Sequence, residues 1–287
     1  IITLEVNESK IFASQDLNFN DYGLISIMYH RFNEKKYPST NIQLEVFEKQ
    51  LDIIEREKIK FIHPKNFKKS LSQNKDQRKI LLTIDDGLLS FYQNAWPILK
   101  RKQIPFILFI NTREVGAFNY MNWEQIIELH KSENVEIGNH SHSHEYLVEE
   151  NPSTIKSDIL KSIQIFENKL GRNSEFFSYP FGEYSLEFKN IIKNLGFKYA
   201  FGQHSGVIDE TKDLWELPRF PINEKYGEIK RFNSLTKTIP FKYKEIIPSE
   251  KYLLKNKNPP KVKIQFYEGI KNLKSLGCYS NEGDRWR

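Results

Sequence analysis

Hydrophobic and polar positions alternate in a repeating rhythm through most of the chain, with short apolar runs separated by amphipathic stretches. Leu24–Tyr29 is apolar, follows a glycine and predicts a strand. Phe47–Lys58 carries apolar residues at Phe47, Leu51 and Ile54 with charges between them, the spacing of a helix. A strand follows over Lys60–Ile62, and the polar stretch Lys68–Gln77 reads as a surface connection. Ile80–Ile84 is an apolar run closed by Asp85-Asp86-Gly87, a strand-to-turn signal. Leu88–Lys102 predicts a helix in which Pro97 is a bend point. Pro105–Ile110 is apolar throughout, as in strands buried on both faces of a parallel sheet.

The rhythm continues. Asn122 is placed to cap a helix through Lys131, and Val135–Ile137 predicts a strand leading to Gly138. Pro152–Leu170 reads as a long helix closed by Gly171. Phe176–Tyr179 predicts a strand stopped by Pro180, Leu186–Leu195 a helix, and Phe197–Phe201 a strand. Strands alternating with helices in this way favour a βα barrel or a doubly wound sheet. After Phe220 lysine and proline become frequent and helical periodicity fades. Lys255–Pro260 reads as a linker, and Val262–Tyr267 alternates as a half-buried strand. The tail is too short for an independent core. The expected division is a barrel over 1–240 and a linker with a partial or small β extension over 241–287.

Composition sharpens this picture. The 287 residues include 21 Phe, 14 Tyr and 4 Trp, enough for a large core and too apolar for wholesale disorder. No apolar run approaches the roughly 20 residues a membrane span needs. The net charge of +6 is mild, and the basic residues are scattered, which argues against a nucleic-acid role. The lone Cys278 excludes an internal disulfide and a cysteine-built zinc site. The chain begins at Ile1 rather than methionine, which reads as a processed or trimmed product.

Three polar clusters sit just after predicted strands. In Asp85-Asp86 the two carboxylates point differently, so one can ligate a metal while its neighbour handles a proton. In His140-Ser141-His142-Ser143-His144, entry into a helix would put His140 and His144 on one face, with His142 elsewhere. Two imidazoles and a carboxylate make an ordinary set for zinc or another first-row metal. Ser178-Tyr179-Pro180-Phe181-Gly182 is a tight aromatic loop suited to walling a cleft. Each cluster alone has a bland alternative: a turn, capping histidines, packed aromatics. Together, at strand ends on one barrel face, they point to a catalytic site.

The order Thr83-Ile84-Asp85-Asp86-Gly87, Asn139 to His144, then Tyr179-Pro180-Phe181-Gly182 resembles the polysaccharide deacetylases, the NodB-homology esterases of carbohydrate esterase family 4. The likeness covers about Leu24–Phe220, and Met28-Tyr29-His30-Arg31 resembles the opening of the poly-β-1,6-N-acetylglucosamine deacetylases. It implies an α/β fold, a distorted (β/α)7-type barrel, and metal-dependent removal of acetyl groups from polymeric sugars. It makes Asp85 the general base and Asp86, His140 and His144 the metal ligands, with Ser141 supporting the second motif. The cation implied is divalent: zinc, with cobalt, nickel, iron or manganese also accommodated. The family's third motif carries an arginine where this chain has Ser178, and Arg219 is the candidate to supply that charge from another strand end. The family's late leucine-x-histidine motif is absent, leaving His204 as the candidate general acid and His30 and Tyr29 as alternatives.

The mechanism expected on this basis adds the backbone N–H of Tyr179 as an oxyanion donor. Trp123, Tyr120, Tyr179, Phe181 and Trp215 are candidate sugar platforms. The expected partner is an acetylated polysaccharide of the cell envelope or extracellular matrix, probed in a periplasmic or secreted setting. The rival readings are a catalytically inactive carbohydrate-binding protein on a deacetylase fold, and a metal hydrolase of small amides.

Overall fold

In the computed structural model, residues 2–4, 21–253, 260–267, 277, 281–282 and 285–286 are described. Cys278 and most of the expected linker lie outside them. The chain divides into two compact units, one of Asn18–Phe241 with Glu250–Tyr252, the other of Ile1–Leu17, Lys242–Ser249 and Leu253–Arg287. This departs from the expected 1–240 and 241–287 at two places. Ile2–Leu4 pairs in parallel with Val262–Ile264 in the smaller unit, a long-range pairing that no local pattern announces. Glu250–Tyr252 belongs to the larger unit. In the smaller unit Glu245–Ile247 pairs antiparallel with Lys263–Gln265, completing a three-stranded sheet.

The larger unit is built on nine strands: β1 Leu24–Tyr29, β2 Lys60–Phe61, β3 Lys79–Ile84, β4 Phe106–Ile110, β5 Val135–Asn139, β6 Phe176–Ser178, β7 Tyr199–Phe201, β8 Val207–Ile208 and β9 Phe220–Pro221. They pair in the order β7-β6-β5-β4-β3-β1-β8, with β2 also on β3 and β9 also on β1. Every pair is parallel except β8 with β1. The sheet curls, and one short segment bridges its two sides: Leu217 pairs with Phe201 of β7, while Phe220 pairs with Ile27 of β1. The result is the distorted α/β barrel expected from the motifs.

Side chains alternate across each strand, so successive residues face the barrel interior and the surrounding helices in turn. Leu81, Ile107, Phe109, Phe176, Tyr199, Phe201 and Leu217 form the interior core. Ile80, Leu82, Ile84, Phe106, Leu108 and Ile110 pack outward, in one cluster with Phe47, Leu51 and Ile54 of α1 (Leu44–Arg56). The stretch expected to be a surface connection instead contains α2 (Phe67–Ser72). Its Phe67 ring lies 4.7 Å from that of Tyr199 and 5.9 Å from that of Phe176, so it plugs the barrel interior. Lysines and serines around Phe67 and Leu71 disguise this two-residue apolar face.

Leu88–Lys102 is not one continuous α-helix. A wide π turn over Phe91–Ala95 precedes α3 (Trp96–Lys102). Pro97 lacks an N–H and its ring crowds the carbonyl of the preceding turn, which accounts for the widening. Asn122 caps α4 (Trp123–His130) through a reciprocal pair of bonds with Gln125. Asn151 caps α5 (Pro152–Leu170), which ends at Gly171 in the left-handed region, φ 77°. The next helices are α6 (Leu186–Asn194) and α7 (Ile229–Leu235).

Gly138 in β5 faces Phe109 and leaves no room for a side chain. A Cβ there would stand 2.3 Å from Cδ1 of Phe109 and 3.0 Å from Ile107. Gly138→Ala is expected to destabilise the fold by about 1–3 kcal/mol through overpacking. A urea midpoint equal to that of the unmodified protein would refute this.

Candidate active site

The polar residues gather where the strands end. Interior-facing positions along β3 run Leu81, Thr83, Asp85, turning from apolar to polar at the carboxyl end of the strand. Asp85 is fully buried, and its N–H donates to the Tyr29 carbonyl at the end of β1. Asp86 adopts φ 76°, left-handed backbone that turns its carboxylate away from that of its neighbour. The two acids therefore occupy different surroundings, as the sequence reading required.

Asp85 is clamped by Arg219, on the segment that bridges the barrel. Nη1 donates to Asp85 Oδ1 at 2.7 Å and Nη2 to Oδ2 at 2.8 Å. The other guanidinium donors go to Gly202 O, Thr83 Oγ1 and Ser178 Oγ. Ser178 in turn donates to Asp85 Oδ2 at 3.1 Å. The guanidinium also lies over the Phe109 and Phe201 rings, at 5.5 and 5.8 Å. Burial, the largest single influence, would raise the Asp85 pKa, but the charge and hydrogen bonds of Arg219 together with the nearby histidines outweigh it and hold the carboxyl well below the ordinary range. Ser178 stands where the family motif has an arginine, and Arg219 brings the guanidinium to the same carboxylate from another strand.

The histidine cluster converges by a route the sequence reading did not foresee. Residues 140–146 form no helix. Ser141 (φ 70°) and His144 (φ 53°) are left-handed, and this loop brings the His140 and His144 rings to 4.8 Å. Local hydrogen bonds hold the strained loop. Asn139 Oδ1 accepts from Ser141 N–H, Ser141 Oγ accepts from His144 N–H, and the Asp158 carboxylate accepts from His142 and Ser143 N–H. Ser162 bonds the Asn139 side chain. Asp158 and Ser162 lie one turn apart on α5, an i, i+4 polar pair on an otherwise amphipathic helix. That pair was the signal in the sequence, and the motif reading passed over it. His142 turns away and bonds Thr112 Oγ1.

His140 Nδ1 bonds the Ser178 carbonyl at 2.7 Å, so this nitrogen carries the proton and Nε2 keeps its lone pair. Burial lowers the His140 pKa to about 4, and the ring is neutral at pH 7. Asp86 Oδ1 lies 3.6 Å from His140 Nε2 and 3.5 Å from His144 Nε2. These distances are too long for hydrogen bonds, and Oδ1 is a buried oxygen with no hydrogen-bond partner. Ligands about 2.0–2.1 Å from a tetrahedral ion stand roughly 3.3–3.5 Å apart. The donor types, the neutral imidazole and the orphaned oxygen all fit a divalent cation among Asp86, His140 and His144, whose ligand atoms lie within 4.8 Å of one another.

Other candidates fare unevenly. Tyr179 N–H already donates to Phe201 O at 3.0 Å and its hydroxyl to Trp215 O, which removes it as an oxyanion donor. The Tyr29 hydroxyl is buried and donates to Gln50 at 2.8 Å, which removes it as a proton donor. His204 is exposed, its ring 6.1 Å from Tyr184, and among the described residues no hydrogen bond joins it to the acid–histidine cluster. His30 is near enough that its charge acts on Asp85. Trp123 packs on the outer core with Lys169 over its ring, and Trp215 donates to Phe197 O with Lys193 over its ring. Tyr120 is within electrostatic reach of Asp86. Phe181, at φ 58°, is half exposed with its ring 4.9 Å from His144.

Truncating the clamp tests its electrostatics. Arg219→Met should cost about 3–5 kcal/mol at pH 7 by leaving a buried charge uncompensated. With Arg219 present, the depressed Asp85 pKa contributes stability above the ordinary carboxylate pKa of about 3.9, lost as pH falls through and below it. Without Arg219, burial raises that pKa and protonation relieves the charge, so the difference between the two proteins should shrink between pH 7 and pH 4. Urea titrations showing an equal gap at both pH values would contradict this account.

Residues 72–200 match the family described as polysaccharide deacetylase. The poly-β-1,6-N-acetyl-D-glucosamine N-deacetylase of Staphylococcus aureus strain MRSA252 is 26% identical over 226 residues, covering 73% of this chain and 78% of that protein. Among solved structures, IcaB from Ammonifex degensii superposes with a TM-score of 0.68 at 24% identity, covering 75% of this chain and 97% of that one. Streptococcus pyogenes deacetylase PplD, solved with acetate, gives 0.68 at 21% identity, covering 75% and 99%. The two structures share the fold seen here.

Proposed function

We propose that this chain, which belongs to the polysaccharide deacetylase family and is a hydrolase of that type, removes N-acetyl groups from N-acetylhexosamine units of a cell-envelope or extracellular polysaccharide. The observation that carries this reading is the clamped Asp85 beside an Asp86–His140–His144 set, its Oδ2 3.8 Å from His140 Nε2. Asp86, His140 and His144 would hold a divalent cation, with zinc suited to the donors, and that cation would supply Lewis-acid polarisation of the acetyl carbonyl and acidify water for a weak carboxylate base.

Asp85 is that base. Arg219 keeps it ionised and fixes both its oxygens, while Ser178 bridges the two side chains. His140 is kept in one tautomer by the Ser178 carbonyl, and the backbone of His144 is held by a bond to Ser141 Oγ. Protonation of the departing amine is assigned to a histidine at the site rim. His204, whose backbone carbonyl accepts from the Arg219 N–H, is the candidate, with His30 the alternative. Among the described residues no helix is long and apolar enough to cross a membrane. A polymeric envelope substrate implies work in the periplasm or outside the cell. The inactive-binder reading rests on the missing arginine and the missing leucine-x-histidine motif; the Arg219 contact with Asp85 and the intact Asp85, Asp86, His140 and His144 positions favour an enzyme.

Asp85→Asn should lower acetate release from a β-1,6-linked N-acetylglucosamine oligosaccharide by a factor on the order of 10²–10⁴ while zinc content by elemental analysis persists. Full activity in that variant would overturn the assignment of the base. Zinc should also raise the thermal midpoint of the unmodified protein, and His144→Ala should remove most of that rise. An undiminished rise would exclude this ligand set.

A further inference from the structure

The ring of Phe181 beside His144 begins a row of aromatic side chains leading away from the acid–histidine cluster. Tyr146 follows, its ring 5.6 Å from Phe181, and then Tyr252, 6.3 Å from Tyr146. Phe181 is 49% exposed and Tyr146 39%, and Tyr252 is partly exposed, packed against the core of α5 and α6. Tyr252 comes from far along the chain. It lies in Glu250–Tyr252, the short strap assigned to the barrel unit although the residues on both sides belong to the other unit.

The strap is held deliberately. Glu250 accepts from the N–H of Leu186, the first residue of α6, at 3.1 Å and from Tyr252 N–H at 2.9 Å. A carboxylate at that end of a helix also meets the positive end of its dipole. The Tyr252 hydroxyl donates to Glu149. Glu183 is exposed, and its charge is close enough to act on Tyr146. A row of exposed rings continuous with the reaction centre, edged by a carboxylate, matches the surface of a pyranose. Such a ring has an apolar face to stack and a polar rim to hydrogen-bond.

We infer that Tyr146 and Tyr252 form a flanking sugar subsite that seats a hexosamine ring of the polymer beside the unit being deacetylated, with Glu183 accepting hydrogen bonds from its rim. This rests on the deacetylase reading for the identity of the polymer. The subsite selects for length: a chain reaching from the Asp86–His140–His144 set past Phe181 to Tyr252 gains contacts that a short fragment does not. Tyr252 acts through its ring, and Glu250 is a positioning residue that holds the strap.

Binding separates this subsite from the chemistry. Isothermal titration of the full chain with a β-1,6-linked N-acetylglucosamine pentasaccharide and with the corresponding disaccharide should show tighter binding of the pentasaccharide. Tyr252→Ala, checked for an unchanged thermal midpoint, should weaken pentasaccharide binding about 5- to 10-fold and bring it near the disaccharide value, as expected for loss of roughly one stacked ring. Tyr252→Phe keeps the ring and should bind as the unmodified protein does. Pentasaccharide binding unaffected by Tyr252→Ala would overturn the proposal. So would Tyr252→Phe as weak as Tyr252→Ala, since the hydroxyl strut to Glu149 would then be what matters. Failure of acetate release with intact, Tyr252-dependent binding would instead count against the deacetylase reading and leave the subsite standing.

Discussion

A carboxylate and a guanidinium, neither exposed to solvent, meet across the barrel interior at Asp85 and Arg219. Removing two such charges from water costs several kcal/mol each, and their attraction offsets that only when the geometry is near ideal and the remaining polar atoms are satisfied. Both conditions hold. The pair is bidentate, and all five guanidinium N–H donors have acceptors among Asp85, Ser178, Thr83 and Gly202. The surrounding polar atoms follow from this pair. Ser178 bridges the two charges with its side chain and fixes the His140 tautomer with its carbonyl, so one residue couples Asp85 to the Asp86–His140–His144 cluster.

Around this pair the backbone is strained in a concentrated way. Asp86, Ser141, His144 and Phe181 all have positive φ, and none is glycine. Each such residue costs on the order of 1–3 kcal/mol and persists only where its surroundings hold it. Here the holding groups are visible: Asn139, Asp158 and Ser162 for the histidine loop, and for the aromatic loop the turn bonds from Gly182 N–H to Tyr179 O and from Glu183 N–H to Pro180 O. The reactive side chains are thus aimed by backbone that would relax elsewhere without α5 behind it.

The strands, most helices and the three polar clusters were legible because each depends on local spacing or on residues within one segment. Asp85, Asp86, His140 and His144 fell within contiguous motifs, and Arg219 could be proposed because a charge was visibly missing at Ser178. What escaped notice depends on pairing across the chain. The two histidines meet through left-handed loop residues that no periodicity encodes. Phe67 and Leu71 plug the barrel from a segment whose composition looks like surface. Tyr252 reaches the aromatic row only because Glu250 docks on α6, and Ile2–Leu4 joins the smaller unit through a partner some 260 residues away. The Tyr179 N–H was misjudged because its partner, Phe201, lies on a neighbouring strand.

The bridging segment Leu217–Pro221 has a consequence for the order of events during synthesis. Asp85 and Arg219 are 134 residues apart in sequence, so the carboxylate leaves the ribosome long before its counter-charge exists. A nascent chain that packed β1 through β7 early would trap an uncompensated anion in an apolar interior, a state disfavoured by several kcal/mol. Late, long-range docking of this kind is intrinsically slow. Closing the barrel and giving Asp85 its counter-charge therefore both wait on the same segment, and a nascent or C-terminally broken chain lacking residue 219 leaves the Asp85 carboxylate without its guanidinium.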